Sequence, residues 1–448
     1  MKNRIQKWLN LTLIAFLAVF IFVPAHADSS TPTTAEQQQK IDELTKQIAQ
    51  MQQEEATLKA KLKIATAPTP VATPIPPLSS PSMNGPLASQ SPIQLDTGLP
   101  FISTIAKEIP FVSGLDQIDF NGVFSAIAIA QNNAVSGDKT TRVDMSNAQI
   151  IAQKPDGIVQ FYLQGGAYSI PDLGAAYVTS GRANSLLWGP LPVAYLKIAP
   201  TSNFSIEGGN LPTLIGAEYT FTFQNTNVER GLLWNQEPAI SRGVQANYTL
   251  GPLAGSLSWN NGFYGSEYTW LSGLLAWTIN PTNTLALVGG GNLGFTKDNT
   301  FAAPNTLNNS DLVNLIYTYN NSPLMIQPYF QWTYVPHNSE IGVFQSTSTL
   351  GGAIVASYAL PWNWSIGGRF EYIGQTGSTG SGAANLLYGP GSQAMSFTIT
   401  PTYQYKKFFA RPEVSFVQTV DNTGGDTFGA QGRNPNQIRG LIETGFLF

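Results

Sequence analysis

On strand-like stretches of this chain, charges of opposite sign recur two or four residues apart: Arg369 with Glu371, Arg411 with Glu413, and Arg439 with Glu443. Lys197 stands two residues from Tyr195, and Glu207 follows on the next such stretch. Residues an even number apart on a strand share a face. Facing a narrow aqueous path, such charges focus the field and tune which solutes pass. Bonded to one another, they keep a wall rigid. Both roles are recognition or conduction, and no residue is expected to be catalytic. The chain has no Cys and only two His, His26 and His337. Disulfides, thiolate nucleophiles and Cys-ligated metals are thereby excluded. A single His left after leader removal cannot build a multi-His metal centre. A lipase- or protease-like barrel would need His with a Ser or Asp partner. Here it would have to use His337 in Pro336-His337-Asn338-Ser339-Glu340, which reads as a polar loop residue. No metal and no cofactor is expected.

The elements that would position these charges are β-strands. Val159, Phe161 and Leu163 alternate with Gln160, Tyr162 and Gln164; Val244 to Leu250 alternates with Gln245, Asn247 and Thr249. Trp364, Ile366, Gly368, Phe370 and Tyr372 alternate with Ser365, Gly367, Arg369 and Glu371, and Met395, Phe397 and Ile399 alternate with Ser396, Thr398 and Thr400. Each stretch has one oily and one wet face. Only 11% of residues are charged, less than half of the roughly 25% usual in soluble chains. Mean hydropathy is nevertheless −0.04, which excludes a bundle of apolar membrane helices. Apolar-out, polar-in alternation produces both values in a transmembrane β-barrel. In hydrocarbon an unpaired backbone amide costs several kcal/mol, so such a sheet must close on itself.

Turn signals fix the strand count. Pro155-Asp156-Gly157, Pro200-Thr201-Ser202, Gly251-Pro252, Asn280-Pro281-Thr282, Ser322-Pro323, Pro361-Trp362 and Lys406-Lys407 divide residues 116–448 into eight pieces. Each piece fits two strands and a loop, so sixteen strands are expected, with both termini on the periplasmic side. Sixteen strands enclose a lumen wide enough for water and solutes. Two loops are long, Ser169 to Pro192 and Asn210 to Ser241; one folding inward would constrict the path, but the sequence does not choose between them. Aromatics beside the turns (Tyr358, Trp362, Trp364; Tyr403, Tyr405, Phe408, Phe409) suit interfacial girdles. The barrel zone holds 14 basic and 19 acidic residues, so strong ion selectivity is not expected.

Upstream, residues 1–27 read as a signal peptide: Lys2, Arg4 and Lys7, an apolar run Leu9 to Val23 too short to span, then Ala25-His26-Ala27. Its removal leaves 20 Lys and Arg against 27 Asp and Glu; this acidity argues against a nucleic-acid partner. In residues 35–65, Ile41, Leu44, Ile48, Met51, Leu58 and Leu62 fall on a and d heptad positions, predicting a short periplasmic coiled coil that does not settle dimer against trimer. Nine prolines make residues 66–100 an extended linker, reaching up to roughly 100 Å at about 3.1 Å per residue. The apolar stretch from Phe101 to Val112 is either a helix at the barrel mouth or in its lumen, or the lead-in to the first strand. The chain ends on a strand face of Ile438, Gly440, Ile442, Thr444, Phe446 and Phe448. A terminal aromatic of this kind resembles the signal read by barrel assembly machinery.

The run YLKIAPTSNFSIEGGNLPTLIGAEYTF from Tyr195, followed by NVERGLLWNQEPAISRGVQANYTLG and, downstream, Arg369-Phe370-Glu371-Tyr372, resembles the OmpL-like family of β-barrel porins. The resemblance covers the barrel zone, 116–448, and not the coiled coil. It implies an outer-membrane channel for small hydrophilic solutes and brings no catalytic residues. The coiled-coil arm departs from that family and is similar to the arms of siderophore porins of some intracellular Gram-negative bacteria. A ligand-specific uptake channel, for a siderophore or an oligosaccharide, therefore stays open, as does a tether between outer membrane and peptidoglycan. Expected partners are outer-membrane lipids, the assembly machinery through Phe448, peptidoglycan through the arm, and two further copies in a homotrimer.

Overall fold

The computed structural model describes Lys46, Leu87, the strand Ile93–Asp96 and residues 117–448. The signal peptide, the coiled coil apart from Lys46 (which is helical), most of the linker and the 101–112 stretch lie outside the described residues.

Alternating oily and wet residues produce sixteen antiparallel staves. They are β2 (Gln117–Gln131), β3 (Thr141–Lys154), β4 (Val159–Tyr168), β5 (Val193–Thr201), β6 (Phe204–Pro212), β7 (Ile240–Leu250), β8 (Leu253–Asn260) and β9 (Trp270–Asn280). β10 (Asn283–Asn292), β11 (Asp311–Asn321), β12 (Leu324–Val335), β13 (Thr347–Leu360), β14 (Trp364–Gln375), β15 (Gln393–Tyr405), β16 (Phe408–Val420) and β17 (Asn436–Leu447) complete the set. Each stave pairs with its neighbours in sequence, and β17 pairs with β2 from Arg439↔Gln131 to Leu447↔Val123, closing the barrel. Phe448 carries the seam one step further, exchanging two backbone hydrogen bonds with Gly122 at 2.7 and 3.0 Å. Beyond it, β1 (Ile93–Asp96), inside the stretch expected to be linker, pairs with Gln117 to Phe120 of β2. Closure leaves no stave with unpaired edge groups in lipid.

All seven expected turns sit at one end of the barrel. Residues 155–158, 202–203, 251–252, 281–282, 322–323, 361–363 and 406–407 join staves there. Four of them use left-handed backbone, as at Gly251 and Lys406 with φ of 58° and 53°, which matches hairpin turns to strand twist. All eight longer connections sit at the other end. Short turns on one side and long loops on the other are the bacterial outer-membrane pattern.

Burial is inverted relative to a soluble protein. Phe370 and Tyr372 are 50% and 46% exposed, while Arg369 and Glu371 between and beside them are 1% and 0% exposed. An apolar outer surface this continuous would be a liability in water and is at home in lipid. Among the described residues, no helix is long and apolar enough to cross a membrane; the strands cross.

Candidate functional site

The lumen is occupied by the chain itself. Residues 213–239, joining β6 to β7, turn inward and lie against the wall of the barrel. Their apolar residues pack into two clusters. Leu214, Ile215, Leu232 and Leu233 join a cluster with Leu274, Val288, Leu312, Ile316, Ala353 and Ile373 from β9–β14. Phe221, Phe223 and Trp234 join a second cluster with Tyr168, Trp188, Val193, Phe409 and Leu447, which also contains Leu87. The rings interlock: Tyr168 meets Phe221 edge-on at 5.3 Å and stacks on Trp188 at 5.9 Å. Of the two long loops, the second thus supplies the inward segment. The first contributes as well, since Leu173 N donates to Arg230 O and Arg230 N to Pro171 O.

Beside these clusters, the segment is bonded to β14–β17 by a ladder of charges, all at most 8% exposed. At mid-height Arg369 donates to Glu218 Oε1 (2.6 Å), Glu371 Oε2 (3.2 Å) and the carbonyl of Glu229 (2.7 Å). Glu371 in turn accepts the backbone amides of Leu232 (3.0 Å) and Leu233 (3.3 Å) and the hydroxyl of Ser396 (2.7 Å). A Cβ on Gly231 would lie 2.1 Å from Glu371 Oε1, so only glycine lets the segment come this close. One step toward the short-turn end, Glu413 accepts the amides of Val228 (2.6 Å) and Glu229 (2.9 Å) and the Thr400 hydroxyl (2.5 Å). Lower still, Arg411 caps three carbonyls, of Thr222, Asn225 and Thr226, at 2.8 to 2.9 Å. It also pairs with Glu443 at 3.4 Å, which itself accepts the Thr222 hydroxyl at 2.6 Å. Toward the long-loop end, Arg439 pairs with Glu229 and donates to the carbonyls of Asp172 and Ala175, both at 3.0 Å. Arg230 pairs with Asp172 at 3.0 Å and lies 5.1 Å above the Trp234 ring.

The eight residues singled out in the sequence all face inward, and they divide into two groups. Arg369, Glu371, Arg411, Glu413, Arg439 and Glu443 are brought together as anchors of the segment. Lys197 and Glu207 stand apart on β5 and β6, directly opposite each other in register. Glu207 accepts from Gln245 at 2.9 Å, and Lys197 borders a cavity of about 420 Å³ near the short turns with Gln160, Ser205, Asn247, Thr249 and Thr278. This side of the wall carries amides and hydroxyls bonded to one another: Gln245 and Ser256 both donate to Asn247 Oδ1.

Sequence reasoning missed that Asp172, Glu218, Glu229, Arg230 and Glu237 belong with the wall charges. The available signal was sign rather than number: Asn210 to Ser241 carries Glu218, Glu229 and Glu237 against Arg230 alone. His337 lies in a loop well away from these residues in sequence, and among the described residues no group of three His, Cys, Asp or Glu could hold a metal ion.

A family model described as "Putative beta-barrel porin-2, OmpL-like" matches residues 112–448. No curated protein matches. Among solved structures, OmpF of Salmonella typhi in complex with daunomycin aligns with a TM-score of 0.50 at 11% identity, covering 74% of this chain and 98% of that one. OmpT of Vibrio cholerae aligns at 0.48 and 12%, covering 74% and 98%. An anion-selective porin from Comamonas acidovorans aligns at 0.48 and 10%, covering 74% and 99%.

Proposed function

Since the chain belongs to the OmpL-like β-barrel porins, channels of the outer membrane for small hydrophilic solutes, we propose that the segment 213–239 sets what passes. The observation that carries this reading is the ladder just described: a loop bonded through buried charges to one side of the lumen divides the interior. The path then runs along β5–β8 past Lys197, Asn247 and Thr249, which border the cavity near the short turns, with Glu207, Gln245 and Ser256 buried beside them. Arg369, Glu371, Arg411, Glu413, Arg439 and Glu443 act on selectivity through the segment they hold. A wall of neutral hydrogen-bonding groups with one opposed charge pair favours uncharged or weakly charged polar solutes over strong ion selectivity. Catalysis forms no part of this reading.

A ligand-specific uptake channel is the second reading, favoured by how much of the lumen the segment fills. Residues 1–27 serve as signal peptide, 35–65 as a periplasmic coiled coil touching peptidoglycan, and 66–100 as its linker. Phe448 addresses the assembly machinery, lipids cover the outer face, and three copies associate. Single-channel recording in planar bilayers, with a panel of sugars, salts and chelates, tests the proposal. Small conductance steps, reduced by neutral sugars, are expected. Blockade by one solute alone favours the second reading, and correctly folded protein that gives no steps refutes both.

A further inference from the structure

Glu237, on the last turn of the inward segment, differs from every other buried carboxylate in the ladder. Four guanidiniums (Arg230, Arg369, Arg411 and Arg439) face seven carboxyls: Asp172, Glu218, Glu229, Glu237, Glu371, Glu413 and Glu443. Six of the seven accept hydrogen bonds from arginines, hydroxyls or backbone amides. Glu237 is 5% exposed, and neither of its carboxyl oxygens has a partner. It is also packed tightly in place. A Cβ on Gly216 would sit 1.8 Å from Glu237 Oε2, and Gly216 holds a φ of 89°, a conformation that side chains resist. Gly216 is fixed by donating its amide to Asn314 Oδ1 at 3.2 Å on β11. The glycine and the glutamate thus form a fitted contact between the two arms of the segment, against the β11–β14 wall.

The groups facing this contact oppose a negative charge there. Glu218 on the segment and Glu371 on β14 are the nearby charges that act against it. Arg369 is already bonded to both of those. From β12 comes the Tyr329 hydroxyl, buried and without a partner. A buried carboxylate with no compensating donor is costly, and it takes up a proton instead.

We propose that Glu237 is a proton-held latch: neutral, it seats the segment 213–239 against the wall, and ionised, it releases the segment and widens the path. This rests on the reading of the segment as the constriction. Burial, then the neighbouring Glu218 and Glu371, push the Glu237 carboxyl well above the usual carboxylate range. The seated state binds the proton more tightly than the released, hydrated state. Seating is therefore strongest below the ordinary glutamate range and weakens as pH rises from there through the raised value. Between the ordinary and the raised value each pH unit shifts the balance about tenfold toward release, and above the raised value it levels off.

Two measurements test it. In planar bilayers, wild-type conductance should step up as pH is raised from mildly acid to alkaline, while Glu237→Gln, which keeps the shape and cannot ionise, stays at the low level throughout. The second readout needs no conductance. The chain has no Cys, so Ala217→Cys places a single thiol on the segment. Its labelling rate, normalised to a free thiol at each pH, should rise with pH in the otherwise wild-type protein and stay flat when Glu237→Gln is added. A flat normalised labelling rate in the wild type, or a rise that survives Glu237→Gln, overturns the latch even if the channel conducts. Conductance that responds to added calcium at fixed pH, and loses the response in Glu237→Gln, overturns it in favour of a metal ion.

Discussion

Replacing Glu371 by alanine should free the inward segment while leaving the barrel standing. The wall around Glu371 is held by backbone pairing of β14 with β13 and β15, register by register from Trp364 to Gln375, and the substitution touches none of it. What it removes is the acceptor of two segment amides, Leu232 and Leu233, and one of the two carboxylates paired with Arg369. Arg369 shares β14 with Glu371 in either state and keeps Glu218, so what the seated state loses is the two amide bonds, each worth about 1.5–3 kcal/mol to a charged acceptor. Taking about 4 kcal/mol, and about 1.4 kcal/mol per decade, the seated-to-released ratio falls roughly a thousandfold. The apolar contacts of Leu232 and Leu233 remain, so the segment loosens rather than unfolds with the barrel. The assay is single-channel conductance with sugars of graded size, alongside circular dichroism and heat-modified gel mobility to certify the barrel. Larger steps and a larger size limit are expected. A certified barrel with unchanged conductance and size limit would show that the ladder does not control the path.

Gly216→Ala should act in the same direction, because its Cβ would overlap the Glu237 carboxyl and its φ is left-handed; accelerated labelling of a thiol at Ala217→Cys checks it. Phe370→Arg, on the lipid face near the middle of β14, should cost about 2–4 kcal/mol of folding into vesicles, whereas Thr249→Arg, beside the lumen cavity near the short turns, should leave lipid insertion intact; urea titration in vesicles of both variants distinguishes the faces. At the long-loop end, Asp138 is pushed up by burial but pulled below its ordinary value overall by the amides of Tyr177 and Lys139 and by Arg142 and Gln131. A lowered carboxyl contributes stability above the unfolded value, about 3.9, and loses it as pH falls through the folded one. Pepsin nicking between residues 169 and 192 should therefore appear only at acid pH, and in Asp138→Asn at higher pH than in the wild type. Equal nicking in both would disprove that anchor.

How much of this was readable in the residues follows from which interactions leave a pattern. The staves were legible because period-two alternation is local, as at Trp364 to Tyr372, and because every short turn carries Pro, Gly, Asn or paired Lys. The inward direction of Arg369, Glu371 and their like followed from the same alternation. The partner of those charges did not. Arg369 and Glu371, or Arg411 and Glu413, look self-sufficient when written in sequence. In the fold, Glu371 and Glu413 spend their oxygens on backbone amides of Leu232, Leu233, Val228 and Glu229, and backbone amides have no signature in side-chain types. Glu237 reads like any solvated loop glutamate, and its fit depends on Gly216, well removed from it along the chain. The strand Ile93–Asp96 was hidden by surrounding prolines; it forms because β2 begins before β17 has an end to offer it.

The inward segment leaves the wall after β6, yet its charged anchors sit on β14 to β17. Thr222 bonds Glu443 across 221 residues, and Leu233 bonds Glu371 across 138. The ladder can therefore form only when the segment and all four of those staves are in place, whichever reaches the membrane first. Narrowing the bore depends on the same staves that close the cylinder, and a chain truncated before Glu371 would lose both.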